Sequence, residues 1–405
     1  MVDLLDCTVM PYAWGSHTAI AELTGRPCPS AGPEAELWMG AHPMAPARVT
    51  RRGGSRGLAE VITDDAAAAL GADVTAEFGP HLPFLLKVLA AEQPLSLQAH
   101  PTAVQAAAGF AEEDARSVPR DAPTRNYRDP SHKPELLCAL TPFDALCGFR
   151  RAADTLRLFA ELGVKELDGV LGPLRASPDR KGLAETFRAI MTLPKEDGAR
   201  LVAAVVRACG RSMGSAFERE HRWAGKLDAL YPGDVGVVSA LLLNLLHLEP
   251  GEAIYLGAGN LHAYLGGVGI EIMASSDNVL RGGLTRKHVD VPELMRVLDF
   301  GDGPVTPLHP RTVDAQERFY LTPAREFRLS VIDVTNGYIV ARAVRGPEIL
   351  LCTQGNAVLA PGDGSPEVVV ARGRSVFVPA STGRYELGAG AGGRASLYRA
   401  TVNLT

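Results

Sequence analysis

The segment PLSLQAHP, from Pro94 to Pro101, carries polar side chains at alternating positions within an apolar run. In an extended strand successive side chains point to opposite faces, so Ser96, Gln98 and His100 share one face. Three polar groups that face a core require partners that satisfy them. A solvent-exposed polar face would also explain the pattern, because half-exposed strands are common. The segment therefore predicts either a half-exposed strand or one wall of a polar site.

Two further segments could complete such a site. In HKPEL the same alternation places Lys133 and Glu135 on one strand face, and in GNLHAYL His262 follows a glycine-rich turn. Imidazole and carboxylate groups are ligands that a borderline divalent ion such as zinc accepts, with a position left open for water or substrate. Together with Gln98 and His100, these residues supply a plausible ligand set, although no sequence rule fixes gaps of this length.

Composition favours sizeable cores and excludes several classes of partner. The chain has 405 residues, of which 46% are hydrophobic and 21% are charged, and its net charge is -5. No lysine and arginine cluster is long enough to follow a phosphate backbone, so we expect neither nucleic acid nor an anionic membrane as a partner. The first residues do not resemble a signal peptide. Six scattered cysteines without a CxxC pair predict reduced thiols in a cytoplasmic protein.

The elements that position the candidate residues follow from periodicity. Polar turns and short apolar runs predict short strands and loops in the first 58 residues. Thr102 directly after Pro101 is a plausible N-cap for the helix that follows. The other predictions for this region are helices near Leu58–Leu70 and Thr102–Arg116 and strands over Pro83–Ala90, Leu95–His100 and His132–Leu140.

Beyond residue 148 the pattern changes twice. Apolar residues recur every three to four positions from about Phe149 to Leu230, which predicts a helical block. Short alternating strands with Gly, Pro and Asn turns follow, which indicates a sandwich or jelly roll. The predicted fold is mainly β with an α insertion: a β-sandwich over 1–148 and 233–311, a helical domain over 149–232 and a second β-sandwich over 312–405.

Seven ordered motifs resemble those of the type I mannose-6-phosphate isomerases, a zinc-dependent family of the cupin superfamily. They are PYAWGS, ELWMGAHP, LSLQAHP, HKPEL, YPGD, LHAYL and SSDNVLRGGLTRKH, and they extend from residue 10 to about 290. The resemblance implies two cupin-like jelly rolls, one zinc ion per chain and an active-site arginine at Arg281. The zinc ligands that it implies are Gln98, His100, Glu135 and His262.

The resemblance also implies a reaction, the interconversion of mannose 6-phosphate and fructose 6-phosphate through an enediol, and we expect a monomer. Moving the proton between C2 and C1 needs a base and an oxyanion partner, and a cation must hold the phosphate. Glu135 would be neutralised as a ligand, so Glu271, which shares a strand face with Met273 and Ser275, is the candidate base. The candidates for oxyanion and phosphate are Arg281, Lys133, Lys287 and Ser96.

Among these candidates, Arg281 is expected to stabilise the enediolate while the others hold the phosphate. The chain departs from the family pattern at one position, since Arg286 stands where the family usually has proline before the lysine. This departure bears on the role of Lys287. Alternation also points His132 away from Glu135. The second sandwich reads VFVPASTGRYEL where a metal-binding cupin would have histidines, so we expect it to be metal-free.

Three other functions fit parts of this pattern. An isomerase of a different sugar phosphate would keep the metal and the base and change only the pocket. A non-catalytic sugar-binding cupin would have lost a ligand or the arginine, and here all five residues are present. An iron-dependent cupin oxygenase would take its ligands from a compact histidine-rich motif, which this sequence lacks.

Overall fold

In the computed structural model, which describes residues 1–51, 54–212, 214–336 and 339–404, strands of two large sheets are interrupted by a block of helices. The strands are β1 (Asp3–Asp6), β2 (Thr8–Met10), β3 (Glu36–Met39), β4 (Arg48–Arg51), β5 (Gly54–Gly57), β6 (Phe84–Ala91), β7 (Gln98–Ala99), β8 (Glu135–Ala139), β9 (Phe143–Phe149), β10 (Leu243–Leu248), β11 (Ala253–Leu256), β12 (His262–Ala274), β13 (Leu280–Arg281), β14 (Arg311–Thr312), β15 (Glu317–Phe319), β16 (Arg328–Thr335), β17 (Val340–Ala343), β18 (Glu348–Pro361), β19 (Val368–Ala371), β20 (Ser375–Val378), β21 (Arg384–Ala389) and β22 (Arg394–Thr401).

Many of the helices lie in the chain between β9 and β10 of the first sheet. They are α1 (Ala19–Thr24), α2 (Leu58–Asp64), α3 (Ala66–Leu70), α4 (Ala72–Phe78), α5 (Ala103–Ala115), α6 (Ala152–Leu162), α7 (Asp168–Ala176), α8 (Arg180–Met191), α9 (Lys195–Cys209), α10 (Glu218–Leu230), α11 (Gly236–Ala240) and α12 (Val291–Val297), with 3-10 turns at Lys165–Leu167 and Ala380–Thr382. None of these helices has the length and apolar character that a membrane span needs. The predicted helical block from 149 to 230 is confirmed.

Strand β12 organises the sheet that carries the candidate site. Its first residues pair with β9, and from Gly267 onward it pairs with β6 on one side and with β8 on the other. At Gly267 φ is +127°, and a Cβ there would lie 2.6 Å from the Phe143 ring. Glycine is therefore required where the strand changes partners. The change lets β12 pair with β6 and β8, which carry Lys87 and Glu135, while its first residue, His262, pairs with Gln98 of β7.

The second sheet centres on β18, which pairs with β19, β20, β21 and β22. The N-terminal strand β1 joins this sheet, with Leu4 opposite Val376 of β20. One apolar cluster contains residues from both sheets, including Leu136 and Phe327. The two sheets are thus connected by shared chain and by a shared core, while the predicted boundaries at 148, 232 and 311 stay predictions.

The local predictions hold at their centres and differ at their ends. Thr102 caps α5, since its hydroxyl accepts a hydrogen bond from the amide of Gln105 at 3.2 Å, as predicted. The predicted strand from Leu95 to His100 is regular only in β7, and the strand predicted from His132 begins at Glu135. Pro134 lacks the amide hydrogen that a strand ladder needs, which accounts for the later start of β8. The predicted helix Leu58–Leu70 breaks at Asp65 into α2 and α3.

Candidate active site

Three buried ligand atoms converge at one edge of the first sheet. His100 Nε2 lies 3.3 Å from Glu135 Oε2, and His262 Nε2 lies 3.4 Å from the same oxygen. All three side chains are at most 2% exposed, and these atoms have no hydrogen-bond partner among the described residues. A tetrahedral site with bonds of about 2.0–2.1 Å has ligand atoms about 3.3–3.4 Å apart, so the spacing fits one metal ion.

Strand ends bring the three ligands together. His100 directly follows β7, Glu135 opens β8 and His262 opens β12. The Nδ1 atoms of the two histidines are held by backbone carbonyls, at 2.7 Å from Asn278 O and 3.0 Å from Asn260 O. A carbonyl only accepts, so each Nδ1 carries the hydrogen and each Nε2 offers a lone pair toward Glu135. This is the tautomer that a metal ligand needs.

Electrostatics supports the same protonation state. Burial lowers the pKa of His100 to about 4, although Glu135 acts in the opposite direction. Burial alone would raise the pKa of Glu135, but Lys133 and the two imidazoles outweigh this effect and hold the pKa well below its usual range. At neutral pH the histidine is therefore neutral and the carboxylate ionised, which is the form in which both groups bind a metal.

Gln98 and Arg281 extend the row of ligands across three strands. In the antiparallel register Gln98 of β7 stands opposite His262 of β12 on one side and opposite Arg281 of β13 on the other. Directly opposed residues of antiparallel strands point to the same face. The Gln98 amide is thus placed beside His262, and the Arg281 guanidinium comes next in the row.

The HKPEL segment contributes a lysine as well as a ligand. Lys133 Nζ lies 2.8 Å from Glu135 Oε1, the oxygen that does not face the histidines. Both side chains are buried, as the predicted alternation requires, and His132 points to the other side. Ser96 is half-buried, and the backbone amides of its neighbours Leu95 and Leu97 donate to Tyr264 O and Gly283 O.

A buried polar network lies next to the ligands on the same sheet face. Glu271 Oε2 is 3.2 Å from Lys87 Nζ, and Glu271 Oε1 accepts a hydrogen bond of 2.8 Å from the Tyr264 hydroxyl. Lys87 also contacts Glu36 at 3.5 Å. Burial raises the pKa of Glu271, and Glu135 and Glu36 add to this, while Lys87 opposes it. Lys87 is therefore an ammonium shared by two carboxylates in a site closed to water.

Three cations converge at the outer side of the site. Burial lowers the pKa of Lys287, and the charges of Arg281 and Arg128 lower it further. Burial also lowers the pKa of Arg281, and the charge of Arg128 lowers it further. Within the described chain none of the three has a carboxylate partner in a salt bridge. Mutually repelling cations without partners are an arrangement that favours binding of an anion.

Polar contacts fix the loops that carry these cations. The side-chain oxygen of Asn278 accepts a hydrogen bond of 2.7 Å from the Arg128 amide. Its side-chain nitrogen donates a hydrogen bond of 2.7 Å to Asp129 O. Asp234 of the YPGD motif accepts hydrogen bonds from the amides of Gly236 at 2.7 Å and Thr285 at 3.2 Å. These two side chains therefore hold both loops against the sheet.

A cavity of 410 Å³ adjoins the site without including its three metal-ligand candidates. Arg128 lines it, and so do His42 and Asp277, whose side chains are 3.4 Å apart. His42 also packs edge-on against Trp38. The cavity therefore shares one lining residue, Arg128, with the cation group.

Comparison with known proteins agrees with this geometry. Residues 2–152 match the family model described as phosphomannose isomerase type I, catalytic domain. The mannose-6-phosphate isomerase of Escherichia coli K12 is 39% identical over 92% of this chain and 94% of its own length. The chain belongs to the type I mannose-6-phosphate isomerases. A relative named mannose-6-phosphate isomerase 1 from Arabidopsis thaliana is 33% identical over 98% of this chain and 93% of its own.

Solved structures of the family share the whole fold. A point variant of phosphomannose isomerase from Salmonella typhimurium superposes with a TM-score of 0.91 at 36% identity, and both chains are covered completely. A zinc-bound mannose 6-phosphate isomerase gives a TM-score of 0.90 at the same identity, also over both complete chains. The mainly β architecture with a helical block is therefore that of the family.

Several residues of the site escaped the sequence analysis. Lys87 in LPFLLKVLA is a charged residue in an apolar strand, the same signal that identified Glu271. Tyr264 shares the strand face of His262 by alternation, but a tyrosine in a strand is usually part of a core. Arg128 lies in an irregular loop, and no local pattern indicates that Asn278 folds this loop against the site.

Proposed function

We propose that this protein is a zinc-dependent mannose-6-phosphate isomerase, which interconverts mannose 6-phosphate and fructose 6-phosphate through an enediol. The observation that carries the proposal is the convergence of three buried, otherwise unpartnered ligand atoms in a member of this family. His100, Glu135 and His262 would hold one zinc ion, and Gln98 is the proposed fourth ligand. When bound, zinc supplies Lewis-acid polarisation of the substrate oxygens.

The buried network supports a division of tasks in the proton transfer. We propose Glu271 as the base, because it is a buried carboxylate beside the converging ligands without being one of them, and burial raises its pKa. Tyr264 and Lys87 orient its two oxygens. Lys133 is proposed as a catalytic cation at the oxyanion, since its contact with Glu135 places it at the metal-binding end rather than at a distant phosphate.

The outer cation group supports a binding site for the phosphate. Lys287 and Arg128 are proposed to hold it, and Ser96 is proposed as a further substrate contact. A phosphate dianion would relieve the repulsion among these unpaired cations, and an arginine can bind it with two hydrogen bonds. Arg281 is the member of this group that stands opposite the proposed ligand Gln98, so it is the candidate for stabilising the enediolate.

The function is tested by a coupled assay for fructose 6-phosphate. Purified protein is expected to contain about one zinc ion per chain and to convert mannose 6-phosphate. Chelation is expected to abolish the activity, and zinc to restore it. Other aldose phosphates serve as the comparison for an isomerase with a different pocket. Sugar binding without turnover in the zinc-loaded protein would instead identify a non-catalytic binding protein.

Kinetics of three variants separates the two proposed roles of the cations. Arg281→Ala is expected to lower kcat by about 10²-fold, the usual effect of removing one oxyanion donor, with little change in KM. Lys287→Ala is expected to raise KM with kcat nearly unchanged, because phosphate binding contributes equally to ground and transition states. Arg286→Ala is the matched control on the same loop. Near-normal kcat with a much larger KM in Arg281→Ala would reassign Arg281 to the phosphate.

The finer organisation of the chain is also part of the proposal. We propose that both sandwiches are cupin-like jelly rolls, with the catalytic one formed by 1–148 and 233–311. The free cysteines of the described chain fit a cytoplasmic protein. A monomeric state stays a prediction.

A further inference from the structure

We infer that Glu326, a residue of the C-terminal sheet region, is a positioning residue for the HKPEL segment and acts through His132. The inference rests on the proposed function, because Lys133 and Glu135 of that segment belong to the proposed catalytic site. It assigns a role to the C-terminal part of the chain. The side chains of Glu326 and His132 form the contact, across 194 positions of sequence.

The contact itself is short and partly shielded from water. His132 Nε2 lies 2.5 Å from Glu326 Oε1, and the Glu326 side chain is 16% exposed. The second carboxylate oxygen, Oε2, accepts a hydrogen bond of 3.1 Å from the Arg325 amide. Both oxygens of Glu326 are therefore engaged, which fixes the direction in which the carboxylate meets the imidazole.

The loop that presents Glu326 is held on both sides. Phe327, the next residue, is fully buried in the core that the two sheets share. On the other side Asn403 donates through its side-chain nitrogen to Ala324 O at 2.9 Å, and its backbone amide donates to Arg325 O at 3.0 Å. The carboxylate is thus presented from a fixed support rather than from a free loop.

The HKPEL backbone is anchored on both sides of His132 and Lys133, and Glu135 and Leu136 pair with β11 and β12. Asn278 holds Ser131 O at 2.8 Å, and the Ala274 amide holds Pro134 O at 3.0 Å. Pro134 has no amide hydrogen to add a further bond. Between these anchors Glu326 holds the His132 side chain by a hydrogen bond, on the face opposite to Lys133 and Glu135.

Because side chains alternate between faces, the contact that holds His132 also affects the position of Lys133 on the opposite face. In an extended segment, rotation about the chain axis moves the side chains of both faces together. Holding His132 outward therefore holds Lys133 inward, where its ammonium meets Glu135 at 2.8 Å. Loss of the Glu326 carboxylate should loosen Lys133 without removing a metal ligand.

Steady-state kinetics of zinc-loaded variants tests the inference. Glu326→Ala is expected to lower kcat about tenfold, the lower range for groups that orient metal-site residues, with unchanged zinc content and little change in KM. Glu326→Gln retains an acceptor for His132 and should recover most of the activity. His132→Ala combined with Glu326→Ala should be no slower than His132→Ala alone, because the two groups act as a unit.

Arg325→Ala is the matched control for general contact between the two parts of the chain. Arg325 pairs with Glu77 at 3.1 Å on the surface and does not contact His132 through its side chain, so wild-type kcat is expected. Should Glu326→Ala fold poorly, Glu326→Asp keeps the charge, withdraws the carboxylate by one methylene group and should also slow turnover.

Wild-type kcat in the Ala or Asp variant would overturn the inference, and so would independent, multiplicative effects in the double variant. An inactive but zinc-loaded wild-type protein would instead contradict the proposed function. The two failures are therefore distinguishable in one set of measurements.

Discussion

Replacement of His100 or His262 by alanine is expected to lower zinc affinity by one or more orders of magnitude and to abolish isomerase activity. Each histidine offers one of three buried ligand atoms that have no other partner in the described chain. Removing either leaves Glu135, one imidazole and the proposed ligand Gln98, so zinc loses one direct bond of its ligand set. Zinc content after dialysis and titration with a competing chelator measure the loss.

The control for this prediction is His309→Ala. Its side chain is 70% exposed and, among the charged groups of the described residues, lies near Glu252 alone, so zinc affinity should equal that of the wild type. Circular dichroism would establish that the ligand variants remain folded. Full zinc occupancy in both His100→Ala and His262→Ala would show that the metal is held elsewhere.

Replacement of Glu271 by glutamine is expected to slow turnover by roughly 10²–10⁴-fold, the usual contribution of a positioned acid or base. Zinc content and substrate binding should persist, since Glu271 is not one of the converging ligands. The amide retains the shape of the side chain and can still accept from Tyr264, but it cannot take up the substrate proton. Single-turnover kinetics with zinc-replete protein gives the rate of the chemical step.

Tyr264→Phe separates proton transfer from packing around Glu271. It removes the hydrogen bond of 2.8 Å and keeps the carboxylate and its contact with Lys87. We expect a smaller loss than in Glu271→Gln. The free energy of unfolding is measured for both, because Lys87 retains only its longer contact with Glu36 in Glu271→Gln. Wild-type turnover in zinc-replete Glu271→Gln would eliminate Glu271 as the base.

The metal-binding end of the site was predictable to an unusual degree because its residues obey a local rule. Alternation alone places Gln98 with His100 and Lys133 with Glu135, and the structure confirms the contact between Lys133 and Glu135. His262 was a candidate from its chemistry alone, but no sequence rule relates it to the two pairs, and the family resemblance implied it as a ligand. The structure brings His262 to 3.4 Å from Glu135.

The opposite face of the same strand segment shows where the local rule ends. Alternation directs His132 away from Glu135, but nothing in HKPEL indicates that Glu326 lies on that opposite face and contacts His132. The same holds for Arg128, whose loop is placed by Asn278, 150 positions away in sequence. Contacts of this kind depend on loop closure and on packing of distant segments, which no short window of sequence contains.

Strand pairing in the N-terminal region shows the same difference between local pattern and distant contacts for the fold as a whole. The mainly β character, the helical block and the face on which each candidate residue lies could be predicted from short windows of sequence, because the periods of strand and helix are local properties. The pairing of β1 with β20 of the C-terminal sheet and the position of Lys87 opposite Glu271 became visible only in the folded chain. Register between distant strands is chosen by which apolar faces bury together, and that choice involves the whole chain.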